Sequence, residues 1–105
     1  VKSLSLMGVY KVIGKNGKEI ESETILHPGE VLGDELEARG IPQKEFSALV
    51  DMRPPHLNEL IKGKRHVSAL LALKLEKQLG IGAAFWLRLQ IDYDLKMARK
   101  QLKVA

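Results

Sequence analysis

Six polar side chains between residues 53 and 65 have the types and spacing to do chemistry: Arg53, His56, Asn58, Lys62, Lys64 and Arg65. That chemistry is recognition of a nucleic-acid duplex. The Asn58 amide can pair bidentately with adenine, and Arg53 can take guanine through two N–H groups or hold a phosphate. Lys62, Lys64 and Arg65 suit phosphate better than base edges, with a merely solvated basic loop as the plain alternative. His56 can approach a base or the backbone, or can be an ordinary neutral surface histidine. Bond-breaking chemistry finds no such cluster. The histidines His27, His56 and His66 share no metal-ligand spacing, and no Ser/His/Asp set or phosphate-cradling glycine loop is present. Gly80-Ile81-Gly82 lacks both the preceding strand and the third glycine of a dinucleotide site. A binding protein without metal or cofactor is expected, not an enzyme.

The elements that must position these groups lie in residues 42–63, PQKEFSALVDMRPPHLNELIKG. Phe46, Leu49 and Val50 repeat at helical spacing, and so do Leu57, Leu60 and Ile61; between them Asp51-Met52-Arg53 is short enough for a sharp turn. This pattern predicts two short amphipathic helices joined by a turn, the second presented to the major groove. Pro42 fits a helix start, and Pro54 and Pro55 fit a first turn, where the missing N–H groups cost nothing. Asp51 is expected in a left-handed turn conformation, and Gly63 as the left-handed stop of the second helix.

The charge pattern agrees. The net charge is +4 and the pI about 9.4. Residues 27–50 hold five acids against two bases, residues 51–66 four bases against two acids, and the remainder seven bases against three acids. Positive charge therefore begins with the second helix of the motif, as attraction to a phosphate backbone requires. Cysteine is absent, which excludes disulfides and thiolate zinc sites. No apolar run approaches the roughly 18 residues of a membrane span, and the start carries no secretory pattern, so a cytoplasmic protein is expected.

Three more helices complete the expected body. HPGEVLGDELEARG opens at residues 27–28 and stops at Gly40, with Val31, Leu32, Leu36 and Ala38 on the apolar stripe and Glu30, Asp34, Glu35 and Glu37 toward water. Ser68 caps ALLALKLEKQL, whose leucines (Leu70, Leu71, Leu73, Leu75, Leu79) predict the central, most buried helix. A last helix runs from about residue 83 to 101. It carries two apolar stripes, one with Phe85, Trp86, Leu89 and Tyr93, the other with Leu87, Ile91, Leu95, Ala98 and Leu102. One stripe should meet the body and the other a second chain. The aromatic stripe is the candidate dimer contact. Residues 1–26 read as a β-prone arm. Val9, Val12, Ile13 and Ile20 flank Asn16-Gly17, a hairpin signal, though a lone hairpin is marginal and the arm could equally be mobile. The expected fold class is all-α, with a helical domain over residues 27–105 behind that arm.

Five helices in this order resemble the Cro/repressor-like domain. Within that class, Gln43, Phe46, Ser47, Val50, Met52, Gly63-Lys64-Arg65 and SALLALKLEKQLGIGAAFWLRLQ resemble the HigA family of antitoxins. The HPGE opening and FWLRLQ make the match specific; it covers about residues 27–95 and not the arm. The resemblance implies a protein that neutralises a RelE-like messenger-RNA-cleaving toxin and represses its own operon by binding double-stranded operator DNA, as a homodimer. It implies a phosphate contact for Gln43, beside which Lys44 is a further DNA-binding candidate. It also makes Arg53, Pro54, Pro55, His56, Asn58, Glu59 and Lys62 the outward positions of the recognition helix. Three of its features depart from the family pattern: Asp51 replaces a turn glycine, two prolines occupy reading positions, and Glu59 is acidic. A toxin-binding protein that scarcely uses DNA, and a plain Xre-type regulator, are the alternatives. The toxin would meet either the arm or the acidic first helix.

Overall fold

A computed structural model describes residues 25–104, and the expected hairpin arm lies outside the described residues apart from its last two positions. Five helices follow in order: α1 (Pro28–Arg39), α2 (Gln43–Leu49), α3 (Pro54–Ile61), α4 (Ala69–Leu79) and α5 (Ala83–Val104). Among the described residues there is no strand, and no helix is long and apolar enough to cross a membrane.

Local chemistry sets each boundary. His27 caps α1: its Nδ1 accepts from Gly29 N at 2.8 Å, with Pro28 at the first helical position. Gly40, at φ 70°, ends α1, and Ile41 N donates back to Leu36 O at 2.9 Å. Pro42 caps α2 without a side-chain bond, and the turn behind α2 places Asp51 at φ 54°, the left-handed geometry expected for it. Pro54 and Pro55 occupy the first turn of α3, and Gly63 closes it at φ 80°. Ser68 caps α4, its hydroxyl accepting from Leu71 N at 3.2 Å. The α5 start is held from α4, where Glu76 Oε1 accepts from Ala83 N at 2.7 Å.

The core gathers Val31, Leu32 and Leu36 from α1, Phe46 and Val50 from the α2 side, and Leu57 and Leu60 from α3. Leu71, Ala72, Leu75 and Leu79 from α4, Trp86 from α5, and Val67 and Ile81 from the loops before and after α4 complete it. α1 lies against α3 and α5, α2 against α3, and α4 against α5. The α1–α3 approach is close: a Cβ on Gly29 would fall 1.7 Å from Leu60 O, so only glycine fits there.

Three expectations require correction. Trp86 is fully buried, donating from Nε1 to Ile81 O at 3.1 Å, so it cannot be a dimer contact. Its neighbour Phe85 packs edge-on against it (5.7 Å), and Tyr93 packs edge-on against His27 (4.6 Å). With Leu89 also packed against the core, the aromatic stripe meets this chain's own body. The outward stripe is the other one, with Ile91, Leu95 and Leu102 exposed by 57%, 47% and 77%. Glu35, expected in water, is fully buried and bound to Arg39 Nε at 2.6 Å. Arg39 Nη2 in turn donates to Leu79 O at 2.7 Å, which ties α1 to the end of α4. Finally, α4 is not buried all round: Leu71, Ala72, Leu75 and Leu79 face the core, while Leu70 and Leu73 point outward. A single face of α4 is covered, because α4 sits at the side of the body with α5 as its chief neighbour.

Candidate nucleic-acid interface

The recognition helix stands as the hydrophobic pattern predicts. Leu57, Leu60 and Phe46 are fully buried behind it. Arg53, Pro54, Pro55 and Lys62 are exposed, and His56, Asn58 and Glu59 half-exposed, on its other side. The turn that sets its angle is held by Met52 N donating to Ser47 O at 2.8 Å, while Ser47, buried, closes on Lys44 O at 2.7 Å. A small residue is needed where α2 and α3 converge, and Ser47 supplies it.

The geometry joins residues that are far apart in sequence. Asn58 Nδ2 donates to Gln43 Oε1 at 3.2 Å, linking the start of α2 to the reading face of α3. The bond uses one of the two Asn58 N–H groups. The other N–H and Oδ1 retain the donor–acceptor pair that matches adenine, and the Gln43 NH2 can still donate. Lys44, exposed on the next residue, sits at the same helix start.

On the far side of α3 an open groove of about 520 Å³ collects Arg53, His56 and Arg65. His66, Ser68 and Lys74 line it too. Sequence reasoning missed these three; their only signal was charge and polarity, since nothing in the spacing sets α4 beside the recognition helix. Lys64 is exposed in the loop leading there. Arg65 Nε donates to Glu59 Oε1 at 2.6 Å, so the one acid of α3 is neutralised within the site. The Arg65 hydrogen bond, then its charge, holds the Glu59 carboxyl below its usual value.

A buried-backed helix turned outward behind a left-handed turn, flanked by cations at both ends, defines a helix-turn-helix protein. The helix-turn-helix family (HTH_3) matches residues 32–86, and the chain belongs to it. More particularly, the chain is 36% identical over 76 residues to virulence-associated protein I of Dichelobacter nodosus, covering 71% of this chain and 70% of the relative. Among solved structures it resembles Pseudomonas aeruginosa antitoxin HigA with the higBA promoter (TM-score 0.70, 31% identity, 73% of this chain and 85% of that one). It also resembles PA4674 of Pseudomonas aeruginosa in complex with its 28-bp operator DNA (TM-score 0.67, 32% identity, 70% of this chain and 82% of that one). The resemblance to HigA antitoxins carried by the sequence motifs, and the all-α five-helix class, are both borne out.

Proposed function

We propose that this chain is an operator-binding repressor that is also the antitoxin of a toxin–antitoxin pair. The observation that carries the DNA half is the Gln43–Asn58 bond, which sets an adenine-reading amide beside a phosphate-binding one on a helix that is already turned outward. HigA and PA4674, similar over most of this body, are bound to promoter and operator DNA in their structures. Arg53, His56, Lys62, Lys64 and Arg65, with Gln43 and Lys44, then serve as the remaining contacts to the duplex. Pro54 and Pro55 offer apolar surface of the kind that suits a thymine methyl. The dimer would be joined through Ile91, Leu95, Ala98 and Leu102, spaced four, three and four like a coiled-coil seam, and a near-palindromic site would require its two recognition helices about 34 Å apart.

The toxin would be RelE-like, a cleaver of RNA and hence a phosphate-binding, basic protein. Glu30, Asp34 and Glu37 of α1 line an open hollow of about 570 Å³ with Ile41 and Ile61, and this acidic face suits such a surface.

Fluorescence anisotropy with the chain's own promoter tests the DNA half. Arg53→Ala and Asn58→Ala should each cost about 1–3 kcal/mol of specific binding, and affinity should fall steeply with salt. Unchanged affinity in both variants removes these assignments. Absence of binding at low salt leaves the reading of a toxin-binding protein that does not use DNA.

A further inference from the structure

α3 carries one acid, Glu59, on the side that faces DNA in the reading proposed above, on which this inference rests. By simple charge it should repel phosphate, and its removal should tighten binding. The local geometry argues otherwise. Glu59 holds the following loop twice: its backbone O accepts from Lys64 N at 2.8 Å and its Oε1 from Arg65 Nε at 2.6 Å. Gly63, left-handed at φ 80°, turns the chain back so that both bonds can form. The ion pair uses Nε, one of the five guanidinium N–H donors; those on Nη1 and Nη2 have no protein partner among the described residues. Both side chains are about half exposed (46% each), so an untethered Arg65 would sample many rotamers. Arg65 lines the basic groove together with Arg53 and His56.

We propose that Glu59 is a positioning residue: it grips Arg65 by Nε and thereby presents the planar Nη pair to a backbone phosphate of the operator. A bidentate arginine–phosphate contact gains from this because its fork must be aimed, whereas lysine acts as a point charge.

The test is anisotropy of the full chain with its own promoter fragment across a salt series. Arg65→Ala should bind roughly tenfold more weakly with a salt slope shallower by about one. Glu59→Ala should also weaken binding, by about three- to tenfold, although it makes the chain more positive. Glu59→Gln, whose amide oxygen can still accept the Nε–H, should stay within about twofold. Arg65→Lys should lose as much as Glu59→Ala, and the Glu59→Ala/Arg65→Ala pair should be no worse than Arg65→Ala alone. A merely structural role would not produce that non-additivity. Binding by Glu59→Ala equal to or tighter than the unmodified chain, with Arg65→Ala still impaired, overturns the inference and leaves the DNA reading standing; so does full affinity in Arg65→Lys. An unmodified chain that does not bind its promoter at low salt overturns both.

Discussion

His27 shows how much one side chain can join. Its ring caps α1, lies 3.5 Å from where a Cβ on Gly63 would stand, and meets the Tyr93 ring of α5 edge-on. Since Nδ1 accepts a hydrogen bond, the cap needs the neutral ring with its proton on Nε2. Burial first, then the nearby His66, lowers the His27 pKa from 6.5, against the opposing charge of Asp94. An unfolded chain therefore takes up a proton that the folded one resists. Stability is fully present above about pH 6.5 and declines as pH falls below it, by at most about 1.4 kcal/mol per unit from this group. Urea midpoints between pH 5 and 7 check this, and His27→Asn, which keeps a capping oxygen, should flatten that dependence. The Glu35–Arg39 pair gives a second prediction. Arg39→Ala leaves a buried carboxylate unpaired and should cost about 3–5 kcal/mol in chemical denaturation, whereas replacing both residues by apolar ones should restore much of it. Neither His27 nor Glu35 could be assigned from sequence. A charged residue on an amphipathic helix reads as solvent-facing, and only the approach of the α4 end shows why Glu35 lies inside.

At the scale of elements, what is local proved legible. Asp51 in a left-handed turn, Gly40 and Gly63 as stops, Ser68 as a cap and the prolines at the head of α3 are each decided by a residue's own backbone preference. The turn also makes a prediction. Asp51→Gly should leave stability unchanged or raise it by up to about 1 kcal/mol, while Asp51→Val should lower it by about 1–2 kcal/mol, as thermal unfolding would record. What depends on a neighbour was not legible. α4 has apolar residues around more than half its girth, yet Leu70 and Leu73 are exposed, because periodicity shows that a helix has an apolar face but not which part of it another element covers. The two stripes of α5 posed the same problem. Trp86 decides it: a ring of that size filling the middle of the core binds the aromatic stripe to the body, and Trp86→Ala should cost about 3–5 kcal/mol.

For the whole molecule, the order of the five helices and the outward aim of α3 could be read from hydrophobic spacing. The pairings that make it a site could not, since Asn58 and Gln43 are 15 residues apart and no pattern connects them. The outward stripe on α5 carries the prediction at this scale. Leu95→Asp should shift the chain from dimer to monomer in sedimentation velocity and weaken operator binding, with its melting temperature as a monomer little changed.

From residue 94 onward none of the described side chains of α5 is buried, so its last turns contribute little to holding the body together. Those turns form an exchangeable handle. On the dimer proposed above, new residues there would redirect which copy associates with which while the exposed face of α3 stays as it is.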